Sequence, residues 1–137
     1  MKIAVNKCYG GFGLSKEAQL LYAKKSGFEL FFYTQTKYNH RDGVVEYSRD
    51  TGDSLFNNAY KEDLGDTFEK APNGSYWYYG DIERTDPILI DVIEELGEEK
   101  ASGDLAELKI VEIPDGIEYE IDDYDGIESI HESHRSW

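Results

Sequence analysis

The run Asn6-Lys7-Cys8-Tyr9-Gly10-Gly11-Phe12-Gly13-Leu14-Ser15 has the residue types of a backbone anion cradle. Gly10, Gly11 and Gly13 give the chain access to positive φ, where a side chain is costly. Ser15 is suited to cap a helix, because its hydroxyl can accept from an amide one turn on. A strand, a glycine turn and a capped helix start would aim several N–H groups at one point, which suits a phosphate. Lys7, Lys16 or Arg41 would supply the countercharge, and Trp77 or Tyr79 would stack on a base. The expected ligand set is therefore Lys7, Gly10, Gly11, Phe12, Gly13, Ser15, Lys16, Arg41, Trp77 and Tyr79, holding a nucleotide-like molecule. The run lacks the Gly-Lys-Ser/Thr of a P-loop and the third glycine of a dinucleotide fingerprint, so neither of those enzyme classes is supported. The plainer alternative is a tight strand-to-helix turn that packs Phe12 inward.

Four other groups invite chemistry. Cys8 lies close to an expected helix start, which favours thiolate, and a thiol enzyme would need His40, His131 or His134 as its base. A buried structural cysteine explains the residue as well. His131 and His134, with Glu128 and Glu132, would share a helical face able to hold a metal; a solvated or docked tail, with Trp137 buried and Arg135 paired to acid, is the simpler reading. Asp122, Asp123 and Asp125 fall short of a calcium loop, which needs spaced ligands and a closing Glu. Tyr76-Trp77-Tyr78-Tyr79 cannot be buried on both faces, so part of it suits core, part an oligomer interface. No catalytic residue, cofactor or metal is assigned.

Charge narrows the partners. The chain of 137 residues carries a formal net charge of −15, and all of it falls in residues 81–137, which hold four Lys/Arg against nineteen Asp/Glu. Such a surface repels bare nucleic acid and anionic membranes and attracts a basic protein. One cysteine allows no internal disulfide, and the start of the chain has no long apolar segment, so the expected compartment is cytosolic.

The elements that must position these residues follow from local signals. Lys2 to Tyr9 reads as a strand, Ser15 to Ser26 as a helix with Ala18, Leu21, Tyr22 and Lys25 on one stripe, and Gly27 as its stop. Phe28 to Thr34 reads as a second strand, making a right-handed βαβ crossover with the two strands parallel or separated by one other. Asp42-Gly43 is a hairpin turn leading into Val44 to Tyr47. Residues 50–74 show no periodicity and hide a short helix near Leu55 and Phe56 or form a functional loop. Ser75 to Tyr79 reads as a strand. Asp86-Pro87 starts a helix with Ile88, Leu89, Val92, Ile93 and Leu96 inward, ended by Gly97. Glu98 to Asp104 is a polar linker. Leu108–Ile113 and Ile117–Ile121 are expected to pair as a hairpin, Asp122 to Gly126 to turn, and the tail from Ile127 to start helical. The expected fold is α+β: one domain, 1–137, with a mixed sheet of about five strands, two main helices, an N-terminal βαβ unit and a C-terminal β-hairpin.

Several motifs are shared with a known group. Asn6 to Ser15, Leu108 to Pro114, Glu118-Tyr119-Glu120-Ile121, Tyr124-Asp125-Gly126, Glu132 and His134-Arg135-Ser136-Trp137 resemble a family of small, acidic, uncharacterised proteins of tailed bacteriophages. The resemblance covers both ends of the chain and not its middle. It implies a phage accessory protein with a counter-defence or host-modulating role in the bacterial cytoplasm, and it carries no enzymatic role. Beside it stand three readings: sequestration of a nucleotide-derived ligand, an acidic protein that blocks a basic, nucleic-acid-binding surface of a host protein, and a small thiol-dependent enzyme. No direct nucleic-acid or membrane contact is expected.

Overall fold

Asp86 and Pro87 do what their types dictate. The Asp86 carboxylate accepts from the Ile88 amide at 2.8 Å, Pro87 occupies the first helical position, and the helix α2 (Pro87–Leu96) stops where Gly97 takes φ +89°. Helix α1 (Lys16–Ser26) is capped the same way, with Ser15 Oγ accepting from Ala18 at 3.1 Å, and Gly27 at φ +90° ends it. The computed structural model describes residues 1–38, 41, 43, 45–50 and 58–132. The fold is α+β, and contacts divide it into two units: residues 1–26 with 79–137, and residues 27–78. Among the described residues no helix is long and apolar enough to cross a membrane.

The first unit is built on strand β1 (Lys2–Asn6), which pairs antiparallel with β7 (Leu108–Glu112); Ile3 lies opposite Val111 and Val5 opposite Lys109. Ile3, Ala4 and Val5 are fully buried, and Leu89, Val92 and Ile93 of α2 are buried with them. Ala18, Gln19 and Ala23 are the buried face of α1, so the expected stripe through Leu21 and Lys25 is rotated. Gln19 is tolerated there because its amide donates to the Leu14 carbonyl at 3.1 Å. Lys25 instead reaches out to Asp91 at 2.9 Å and Glu95 at 3.1 Å on α2. The expected polar linker after Gly97 contains a short helix, α3 (Glu98–Ala101).

Tyr22 donates its hydroxyl to the other Asp86 oxygen at 2.8 Å. Burial, then the Asp86 bond and charge, push its pKa up to about 12. A raised phenol pKa means the neutral form is favoured in the fold. Its contribution is complete below the ordinary tyrosine value and is lost as pH rises through about 12. In a spectrophotometric titration, Tyr22→Phe should remove tyrosinate absorbance only from the most alkaline part of the curve. Loss of absorbance near the ordinary tyrosine pKa would contradict this placement.

The C-terminal hairpin exists, but with other strands than the sequence indicates. β8 (Tyr119–Tyr124) pairs with β9 (Ile127–Glu132), placing Ile121 opposite Ile130. Asp125 at φ +52° and Gly126 at φ +93° form the two-residue loop between them, the left-handed geometry that suits the twist of a hairpin. Closing that two-residue loop costs about 1 kcal/mol less entropy than closing the six-residue connection through Pro114 would. β7 takes β1 as its partner instead, and the tail from Ile127 begins as strand rather than helix.

The second unit is a five-stranded sheet in the order β5 (Thr67–Phe68), β3 (Val45–Arg49), β2 (Phe31–Tyr38), β4 (Asn58–Tyr60), β6 (Tyr76–Trp77). Every pairing is antiparallel. β1 and β2 lie in different sheets, so the expected parallel crossover between them is not formed, and the sheet is not mixed. One face collects aromatic rings: Tyr33 is fully buried, its hydroxyl donating to Gly65 O at 2.8 Å and accepting from Leu64 N at 2.9 Å, and Tyr47 stacks on Phe68 at 5.1 Å. Arg49 pairs with Asp63 beside this cluster. Ala59 stands opposite Trp77 and Tyr60 opposite Tyr76, so these two aromatics point to opposite faces, but the strand is shorter than expected: Tyr78 lies beyond it and Tyr79 starts a short turn of 3₁₀ helix. Asp42, Leu55, Phe56 and His40 lie outside the described residues.

Candidate functional site

Asn6, at the end of β1, is fully buried and organises the glycine turn. Its side-chain amide donates to the carbonyls of Cys8 and Gly126, both at 2.6 Å. Its side-chain oxygen accepts from Glu107 N at 2.8 Å and Cys8 N at 3.3 Å. Its own backbone amide donates to Glu128 Oε1 at 2.8 Å. One asparagine therefore ties the turn after β1 to the loop before β7 and to the hairpin loop between β8 and β9. Asparagine suits this place because it carries donors and an acceptor on one short side chain.

Glu128 is the second member. It is 4% exposed, and a carboxylate that deeply buried needs both charge and hydrogen bonds to be tolerated. Arg84 supplies the charge through a two-pronged contact, Nη1 to Oε1 at 2.5 Å and Nη2 to Oε2 at 2.8 Å. Arg84 also donates to Ala4 O at 3.3 Å, and its guanidinium lies 3.6 Å from the Phe12 ring centre. Phe12 is thus covered by a cation rather than turned into an apolar core. Tyr79 lies beside it, ring centres 6.2 Å apart. Among the described residues no buried side-chain nitrogen or oxygen lacks a partner.

The glycines serve close approach as much as turning. A Cβ on Gly10 would lie 1.8 Å from Leu105 O. Gly11 takes φ +88°. Gly13 is buried, and its carbonyl accepts from Gly103 N at 2.9 Å. A Cβ on Gly126 would lie 2.4 Å from Tyr9 O and 2.6 Å from Gly11 N.

The structure brings Lys7, Gly10, Gly11, Phe12, Gly13, Ser15, Lys16 and Tyr79 into the first unit, while Arg41 and Trp77 belong to the second. Several of the groups expected to hold a phosphate already have partners. Lys7 Nζ donates to Glu128 O at 2.8 Å, Ser15 N to Ala101 O at 2.8 Å and Gly11 N to Cys8 O at 3.4 Å. Lys16 is half-buried at the first position of α1, and Arg41 is exposed. Cys8 is a half-buried free thiol. His131, the one histidine among the described residues, pairs with Asp122 at 3.0 Å and with Ser129 Oγ at 3.2 Å. It stands on β9, where residues three apart point to opposite faces, so it and Glu128 are not on one face. Among the described residues no group of three His, Cys, Asp or Glu is placed to hold a metal. His134, Arg135 and Trp137 lie outside the described residues.

What the chain offers outward is carboxylate. Asp104, Glu107, Glu120, Asp122, Asp123 and Asp125 are all exposed on the segments around the glycine turn and along the hairpin. By sequence the first unit holds nine Lys/Arg against twenty Asp/Glu. Arg84 and Lys7 are spent on Glu128 and its carbonyl. Sequence reasoning missed Asn6, Arg84, Glu128 and Gly126 as organising residues. Asp125-Gly126 was a legible hairpin signal; the others form pairs too distant in the chain to be read. A comparison with protein-family models, curated proteins and solved structures returns no match.

Proposed function

We propose that this chain is a non-catalytic interaction protein whose acidic unit occupies a basic, nucleic-acid-binding surface of a partner protein. The observation that carries the reading is the exposed carboxylate series around the glycine turn and hairpin, set on a frame whose Lys7 and Arg84 are paired inward. Exposed charge of one sign steers a partner of opposite sign and rejects like charge. A nucleotide receives less support, because the Lys7 ammonium and the Gly11 and Ser15 amides already have internal partners. The phage-like motifs point to a host protein in the bacterial cytoplasm as the partner.

The test begins with proteins captured on the immobilised chain from a bacterial lysate, then purified. Each is loaded with labelled duplex DNA and titrated with the chain. The expected result is displacement of the DNA, weakened when Glu120→Gln, Asp122→Asn and Asp125→Asn are combined. Asp125→Asn is a mild change, since asparagine accepts the left-handed backbone found there. A partner that binds the chain and DNA together, or that binds the triple variant equally well, would refute the proposal.

A further inference from the structure

Among the described residues of the acidic unit, three large apolar side chains are the most exposed. Tyr9 is 67% exposed, Leu105 63% and Tyr124 78%. They stand on three segments that meet at the glycine turn: Gly10 lies against the Leu105 backbone, and Gly126, two residues after Tyr124, lies against Tyr9 O. Asn6 fixes two of these segments through Cys8 O and Gly126 O. Asp104, Glu107, Asp123 and Asp125 lie within two positions of Leu105 or Tyr124 in the chain, and all are exposed.

Resting on the interaction reading above, we propose that Tyr9, Leu105 and Tyr124 are the contact patch of that surface and that it selects arginine over lysine in the partner. Tyrosine rings offer faces on which a guanidinium stacks, and the neighbouring carboxylates match its planar donors; an ammonium does neither as well. Rings held on fixed turns lose little freedom on binding. A second copy of the chain is disfavoured as occupant, because each copy carries a net charge of −15.

The probes are labelled deca-arginine and deca-lysine peptides, equal in charge, titrated with the full chain at low salt. Two stacking contacts should give deca-arginine an advantage of about fivefold or more. Tyr9→Ala with Tyr124→Ala should erase that advantage and leave deca-lysine binding in place. Tyr9→Phe with Tyr124→Phe keeps both rings and should keep the advantage, which separates lost stacking from damage to the fold. Equal affinity for the two peptides, or a preference that survives the double alanine variant, overturns this inference while leaving the electrostatic reading standing. Absence of binding to either peptide overturns both. Self-association of the chain that the double alanine variant abolishes would assign the patch to a second copy and overturn the inference.

Discussion

Arg84→Ala should destabilise the first unit by about 3–5 kcal/mol, the usual cost of removing one member of a buried ion pair. The attraction itself is not the main term. Glu128 is 4% exposed, and without Arg84 its carboxylate would stay buried with the Asn6 amide as its one remaining donor among the described residues. Arg84 is partly exposed, so water entering the vacated space would pull the loss toward the lower end of that range. The same substitution uncovers Phe12 and removes a donor to Ala4 O. Removing both charges together does not restore the parent, because Glu128 also accepts from the Asn6 backbone. Arg84→Met with Glu128→Leu should therefore remain less stable than the parent, though more stable than Arg84→Ala alone. Urea unfolding, followed by amide exchange at Ile3 and Val5, measures this. A loss below about 1 kcal/mol for Arg84→Ala would mean that the pair is solvated in the way surface pairs are.

Gly126→Ala should be the other costly change. Two terms act together. The backbone sits at φ +93°, where an L-residue is strained by about 1–2 kcal/mol. The new methyl would also lie 2.4 Å from Tyr9 O and 2.6 Å from Gly11 N, backbone atoms that cannot swing aside, adding about 1–3 kcal/mol of overpacking. Gly116→Ala is the control. Gly116 has a similar φ of +79° but nothing within 4 Å of the added carbon, so it carries the first term alone. The difference between the two variants in thermal or urea unfolding isolates the contact of the hairpin loop with the glycine turn. Equal losses would mean that the hairpin loop moves away from Tyr9 at no cost. Tyr9 and Tyr124 would then not be held together, and the contact patch would lose its frame.

These two residues also show where sequence reading stops. Helix ends were legible because their causes are local: Ser15, Gly27, Asp86-Pro87 and Gly97 each act within one turn. The α+β class followed from the same signals. Pairing between distant strands was not legible. Nothing in Leu108–Glu112 says that its partner is Lys2–Asn6 rather than the nearer strand beyond Pro114. Asp125-Gly126 carried the same hairpin signature as Asp42-Gly43, but the neighbouring aspartates made it read as a plain acidic turn. Glu128 stands in an acidic tail, where a carboxylate reads as solvated. Its burial depends on Arg84, which lies 44 positions away. The glycine turn was recognised as special, and its glycines do have special work. That work is close approach of Leu105 and Gly126, which a sequence motif for phosphate binding cannot distinguish from a cradle.

The electrostatic reading stands or falls on how association depends on salt. The measurement is the association rate of the full chain with its purified partner, by stopped flow, from about 0.02 to about 0.5 M sodium chloride, a range over which the screening length falls severalfold. Steering by the exposed carboxylates predicts a fall in rate of about tenfold or more, with dissociation changing much less, and a shallower slope for the triple Glu120→Gln, Asp122→Asn, Asp125→Asn variant. An association rate that stays constant across the range, or a slope that the variant leaves unchanged, would contradict it.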